Sequence, residues 1–349
     1  MYQLFYLYVV YGWAVFVSLT NLVLMRRPKG SAPCCFEVMV PARDEEANLA
    51  RLIPLLVGGG CRVTVFDDAS KDATAEVARG AGAEVIVGGS DLPAGWTGKA
   101  WGCSRLTLEA REDWVVFLDA DTIPSPGFVP ALSAFLGDLD PATGVVSGFL
   151  RMIPGRGPEP AYMNWVSWIL LSTNPFGLVA RAGFGHNFFL NGQFSAWRRE
   201  TLVEIKPFDQ VRGEILEDVK IGRLLARIGV KTEIVDMSRL LSVAMYKDLG
   251  SAIQGMSKNS ADIAPGWFGC VLFAAILCLF GFGWVLAGSL WWHFLIALLA
   301  SSLPIVFISR TPLWAVPFLP LSLLAGAITV VRSRSLKSLG RITWKGRSY

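Results

Sequence analysis

Residues 2–24 form an almost uncharged run, long enough to cross a bilayer, with several tyrosines and Trp13 as interface-type aromatics. The basic run Arg26-Arg27-Pro28-Lys29 follows the apolar stretch, whereas a cleavable signal peptide carries its basic residues first. The spacing predicts an uncleaved helix over 1–25, with the N-terminus outside and residue 33 onward in the cytosol. From residue 35 to about 150 the pattern changes to short β-rich runs at 36–40, 63–66, 84–87, 115–118 and 145–150. Helical stretches at 48–56, 72–80, 100–110 and 127–136 fill the gaps. This alternation predicts a doubly wound α/β sheet, whose ligands bind beyond the carboxyl ends of its strands.

A Pro- and Gly-rich loop at 154–160 leads into an aromatic, apolar stretch at 162–189, interrupted by Asn174-Pro175 and several glycines. An interfacial helix followed by an acceptor-side loop is the preferred reading, with a buried core helix as the alternative. Residues 201–260 return to soluble patterning, with a charged helix around 217–228. Three apolar blocks then occupy 267–288, 290–308 and 313–331. Three crossings from the cytosol would leave the basic 332–349 tail outside, against the positive-inside rule. Glycines in the first block and Pro304, Pro312, Pro317 and Pro320 suggest that one block is irregular, leaving two crossings and a cytosolic tail. The expected organisation is a helix at 1–25, a cytosolic α/β domain at 33–260, a membrane region at 267–331 and a tail at 332–349, making a multi-pass protein of the cell membrane.

Composition agrees, since 53% hydrophobic and 17% charged residues are too apolar for a soluble domain. The net charge of +4 comes from residues gathered beside apolar segments, Arg26, Arg27 and Lys29, then Arg332, Arg334, Lys337, Arg341, Lys345 and Arg347. That placement suits anionic lipid and excludes a nucleic-acid stripe. Six cysteines without a CxxC pair, and two distant histidines, His186 and His293, argue against a zinc site or a disulfide framework. Cys34 and Cys35, at the start of the first strand, read as small core residues in a reducing compartment.

The chemistry gathers where strands end. Asp119-Ala120-Asp121 directly follows 115–118, and residues i and i+2 leave a strand on the same side. Two such carboxylates suit a hard divalent cation, Mg²⁺ or Mn²⁺, able to bridge a diphosphate and neutralise a departing one; alone, the pair is a weak motif that reads more readily as a solvated turn. Pro41, Ala42, Arg43 and Glu45 follow the first strand, and Asp67 and Asp68 the second. A strand-end carboxylate can accept from the imide N–H of uracil, while the Pro-led loop packs on base and ribose. Helix capping is the plainer role for Ser70 or Asp72. Glu217-Asp218 opens a predicted helix, whose dipole would keep a carboxylate ionised and ready to take a proton. Lys99, at another helix start, is placed to approach a diphosphate.

In their order, Val40–Leu49 (VPARDEEANL), Asp67–Thr74 (DDASKDAT), Asp119–Thr122 (DADT) and Leu216–Leu225 (LEDVKIGRLL) resemble the family 2 glycosyltransferases of GT-A fold, over roughly residues 35–260. The resemblance implies a doubly wound mixed sheet, nucleotide contacts from Ala42, Arg43, Glu45 and Asp67, a metal held by Asp119 and Asp121, and a catalytic base at Asp218 beside Glu217. The segment from Leu92 to Trp101 is similar to the LP-x-GW-x-GK stretch of membrane glycosyltransferases acting on carotenoid or other isoprenoid lipids, which favours a ligand role for Lys99. Gly192 and Gln193 resemble the family's acceptor side. The departure is Gln254-Gly255-Met256-Ser257-Lys258, where processive members and ceramide glucosyltransferases carry Gln-x-x-Arg-Trp. Without the tryptophan a growing polysaccharide loses its platform, and Lys258 brings a point charge rather than a planar fork. The expectation is inverting, metal-dependent transfer of one hexose from a UDP-sugar or similar donor to a membrane lipid. A processive polysaccharide synthase is the alternative, and a catalytically silent scaffold a further one that intact carboxylates at every motif disfavour.

Overall fold

A computed structural model describes residues 2–89, 91–181, 189–341, 343–344 and 347–348, in two compact units. The sheet unit comprises Met25–Arg151 and Val179–Val243, and the helical unit Met1–Leu24, Met152–Leu178 and Ala244–Tyr349.

The sheet unit is built on strands β1 (Phe36–Ala42), β2 (Arg62–Asp67), β3 (Glu84–Val87), β4 (Trp114–Leu118), β5 (Thr122–Pro124) and β6 (Thr143–Phe149). After the two-residue β7 (Arg151–Met152) come β8 (Phe194–Arg198), β9 (Lys231–Asp236) and β10 (Leu241–Val243). The main sheet has the order β3-β2-β1-β4-β8-β6-β9. Its β1, β2, β3 and β4 pair in parallel, whereas β8 runs antiparallel between β4 and β6, so the sheet is mixed. Val38, Val40, Val115, Val116 and Leu118 are fully buried, as continuous apolar runs require when both faces are covered. Helices Glu46–Gly58, Thr74–Gly80, Gly98–Thr107 and Phe128–Gly137 lie where the pattern predicted helices, with ends shifted by a few residues.

Two sequence expectations are corrected here. Cys35 is exposed and Cys34 half-buried, because β1 begins only at Phe36 and both cysteines precede it. The strand predicted at 145–150 is displaced to 143–149 because Thr143, though polar, is buried in the sheet. Apolar pattern also hides Glu37, which is fully buried in β1. Its carboxylate pairs with Arg62 and accepts N–H groups from Arg111 at 2.5 Å and Glu112 at 3.0 Å, so its burial is compensated.

The helical unit begins with Tyr2–Leu24. Gly266–Phe282 and Leu319–Ser338 form its two long C-terminal helices, and the chain between them is broken into shorter turns. The α-helix of the first apolar block stops at Phe282, and Gly288, at φ 57° and ψ −127°, ends the block in a conformation that side chains disfavour. Among the described residues three segments are long and apolar enough to cross a membrane: Leu4–Leu24, Gly266–Phe307 and Leu313–Ser338.

The interfacial helix preferred for 162–189 is corrected as well. Glu159–Thr173 is a core helix of this unit, with Trp165, Trp168 and Leu171 buried. Tyr162, Trp165 and Trp168 recur every three residues along one side of the helix, and all three are buried. Ser301 closes a polar junction there: its carbonyl accepts from Ser18 at 2.6 Å and Ser172 at 2.8 Å, and its hydroxyl accepts from Trp168 Nε1 at 2.8 Å. The rest of the predicted stretch, residues 182–188 with His186, lies outside the described residues, as does Lys345.

Candidate active site

Strand β4 ends at Leu118, and the next three residues carry the DxD carboxylates before β5 begins. The Asp119 N–H donates to the Gln193 carbonyl at 3.2 Å, and the N–H and hydroxyl of Thr122 donate to the Asp119 carbonyl at 3.1 and 2.8 Å. This turn fixes the backbone from which both side chains project.

Lys99 is the centre of the arrangement. Thr97 caps helix Gly98–Thr107, accepting from the Ala100 N–H at 3.4 Å, and Lys99 is its second residue. The ammonium lies 2.8 Å from Asp119 Oδ1, 3.0 Å from Asp119 Oδ2 and 3.2 Å from Glu217 Oε1, and it donates to the Gly192 carbonyl at 3.1 Å. Burial alone would lower its pKa, but Asp119 and Glu217 more than offset this and hold it well above the usual lysine range. The approach to a diphosphate expected of Lys99 is thus replaced, in this structure, by an ion pair joining two motifs.

The acidic pair opens helix Glu217–Ile228. Asp218 Oδ2 accepts the Gly192 N–H at 3.0 Å, and Oδ1 accepts its neighbour Val219's N–H at 2.8 Å. Despite these donors and Lys99, burial and the Glu217 charge push the Asp218 carboxyl up to about 6. Helix position alone was expected to keep this group ionised, and desolvation outweighs it. Gly192 is packed closely against both: a Cβ there would lie 3.0 Å from Asp218 Oδ2 and 3.1 Å from Lys99 Nζ, so a larger residue would have to displace these side chains slightly. Pro41, Lys99, Cys103, Asp119, Gly192 and Asp218 all line one small cavity.

Asp121 has a buried Oδ1 without a hydrogen-bond partner. Burial, then the charges of Asp119 and Glu45, push this carboxyl up to about 7, with Lys99 acting in the opposite sense. A desolvated carboxylate oxygen beside other acidic groups gains most from a cation. Among the described residues no group of three or more His, Cys, Asp or Glu forms a closed metal cage. The pair fits a hard cation whose other positions are filled by oxygens of a ligand.

The two upstream loops are cross-linked. The Asp44 N–H donates to Ser70 Oγ at 2.9 Å, Lys71 N–H to Asp44 Oδ1 at 2.7 Å, and Ala73 N–H to Glu46 Oε2 at 2.9 Å. Arg43 donates to the Asp68 carbonyl at 2.8 Å, and Asp68 N–H to the Ala42 carbonyl at 2.8 Å. Asp67 accepts the Ser70 N–H at 3.1 Å together with its hydroxyl. Ser70 therefore holds the loop instead of capping a helix, while Asp72 accepts the Thr74 N–H at 3.1 Å where helix Thr74–Gly80 starts. Asp44 and Ala69 adopt left-handed φ of 52° and 53°, turning both loops sharply after their strands.

Gln193 is buried beside Asp119, whereas Gln254 and Lys258 belong to helix Leu249–Asn259 of the helical unit and are not among the residues that line the cavity. Asn191 was not singled out from the sequence. Its Oδ1 accepts the Gln193 N–H at 3.0 Å and its Nδ2 donates to the Gly148 carbonyl at 2.9 Å, setting the turn that presents Gly192. An Asn immediately before a Gly is the turn signal that would have found it.

Residues 33–254, more than half of the chain, match the model of a family described as glycosyltransferase like family 2. The chain belongs to this family. It is similar to the 4,4'-diaponeurosporenoate glycosyltransferase of Staphylococcus haemolyticus (strain JCSC1435), 35% identical over 99 residues, 28% of this chain and 26% of that one. The enzyme of the same name from Staphylococcus aureus (strain USA300) is 34% identical over 86 residues, covering 24% and 23%. The match thus spans about a quarter of the length of these curated relatives. Among solved structures, glucosyl-3-phosphoglycerate synthase from Mycobacterium tuberculosis, in complex with Mn²⁺, UDP and glucosyl-3-phosphoglycerate, is 21% identical with a TM-score of 0.42, over 69% of this chain and 80% of that one. Mannosyl-3-phosphoglycerate synthase from Rubrobacter xylanophilus gives 17% and 0.38, over 63% and 71%. The mixed α/β sheet of this family 2 chain is the architecture that its motifs implied.

Proposed function

We propose that this protein transfers a single hexose, with inversion, from a nucleoside-diphosphate sugar such as a UDP-sugar to a membrane lipid. The observation that carries the reading is the convergence of Asp119, Lys99, Gly192 and Asp218 on one cavity in a family 2 domain. The loops at Pro41–Glu45 and at Asp67 and Asp68 receive the nucleotide. Asp119 and Asp121 hold a divalent cation, Mg²⁺ or Mn²⁺, which supplies charge neutralisation for the departing diphosphate. Lys99 adds a positive charge on the same side. Asp218, ionised above about pH 6 and held by the Gly192 and Val219 N–H groups, accepts the proton of the acceptor as it attacks the anomeric carbon. Glu217 keeps Lys99 in register and raises the basicity of Asp218.

A lipid acceptor is supported by the three membrane-competent segments and by the similarity to enzymes named for a carotenoid acid. The apolar segments and the basic 26–29 run support a multi-pass chain of the cell membrane with the sheet unit in the cytosol. Gly192 and Gln193 stand on the acceptor side of this reading. With purified protein, Asp218→Asn is expected to abolish transfer and leave calorimetric donor binding intact, whereas Asp119→Ala loses Mn²⁺-dependent nucleotide binding. Retained turnover in Asp218→Asn would sink the assigned role.

A further inference from the structure

We infer that Lys99 is a resident counter-cation at Asp119, occupying that carboxylate while the donor is absent and releasing it only when metal and diphosphate arrive together. This rests on the donor-site reading above and adds an order to it: cation and nucleotide bind as a pair.

The geometry is that of an occupied site. Both Asp119 oxygens lie within 3.0 Å of the ammonium, whose remaining contacts are Glu217 Oε1 at 3.2 Å and the Gly192 carbonyl at 3.1 Å. An ammonium has three protons, so every one is engaged. A free divalent cation approaching Asp119 meets a unit positive charge at hydrogen-bond distance, in surroundings where the Lys99 side chain is only 33% exposed. It would find the unpartnered Oδ1 of Asp121, too few protein ligands for a hard cation. A diphosphate changes the balance, because its oxygens both complete the metal's shell and offer the ammonium a new anionic partner. The lysine stem permits that exchange: its root is fixed on helix Gly98–Thr107, while its four-carbon chain leaves the head free to move by a few ångströms. Lys99 acts on the cation through Asp119, as a positioning residue.

The test is Mn²⁺ titration of the full-length protein in detergent, by calorimetry or electron paramagnetic resonance, with and without UDP. Wild type is expected to bind Mn²⁺ weakly alone and about tenfold or more tightly with UDP, a coupling of ordinary allosteric size. Lys99→Met is expected to bind Mn²⁺ alone about tenfold more tightly than wild type, so that the gain from UDP shrinks by a similar factor, while Lys99→Arg keeps the weak binding. A folded Lys99→Met protein with unchanged Mn²⁺ affinity overturns the inference. So does wild type that binds Mn²⁺ equally well with and without UDP, a result that needs no variant to fold. Absence of Mn²⁺ binding even with UDP is a separate failure, which removes the donor-site reading and this inference with it.

Discussion

Asp218 and Asp119 sit at the ends of one chain of polar contacts, Asp218 to Gly192 to Lys99 to Asp119, and each link is a distance of 3.1 Å or less. The proton-accepting role proposed for Asp218 gives a pH profile with a definite sign. The group must be ionised to act, and its carboxyl is raised to about 6 by burial and by Glu217. The account therefore predicts kcat/KM falling about tenfold per unit below pH 6 and levelling above pH 7. Glu217→Gln removes the neighbouring negative charge, so the inflection should move to lower pH. A profile flat from pH 5 to 8 would exclude Asp218 as the base. The carboxylates and Lys99 were legible in the sequence because strand ends and helix starts concentrate them. The Lys99–Asp119–Glu217 ion pairing was not, because it joins three segments distant in sequence and no periodicity records such contacts.

At the scale of elements, the strands that were missed explain themselves. β8 carries Ser195 and Arg198 within five residues, too short and too polar to stand out, yet it is the antiparallel strand between β4 and β6. Buried parallel strands such as β1 and β4 were easy, since their apolar runs have no helical reading of that length. The fit of β6 against β9 is equally specific. At Gly148 a Cβ would lie 2.5 Å from the Val235 carbonyl oxygen and 2.9 Å from Met237 Cγ. Backbone cannot give way as a side chain can, so Gly148→Ala is predicted to destabilise the sheet unit by about 1–3 kcal/mol in chemical denaturation. A loss within ~0.5 kcal/mol, the range of a neutral surface change, would contradict this packing. The helix at Glu159–Thr173 was misjudged for the opposite reason, since an aromatic-rich segment before a Pro looks interfacial until neighbouring elements bury Trp165, Trp168 and Leu171.

At the scale of the whole molecule, the division between a sheet unit and a helical unit follows the composition of the sequence, with apolar runs at both ends of the chain. Orientation can be read from Cys35, which is exposed and precedes β1. If the sheet unit is cytosolic, a membrane-impermeant maleimide should label Cys35 only after cells are broken, with Cys35→Ser as the control; labelling in intact cells would reverse the topology. The central claim, that one hexose is moved onto a membrane lipid, is tested most directly by mass spectrometry of lipids from cells making the wild-type protein and cells making Asp218→Asn. The account predicts a lipid species heavier by a single hexose in the wild-type cells alone. A ladder of several hexoses, or identical lipids in both, would contradict it.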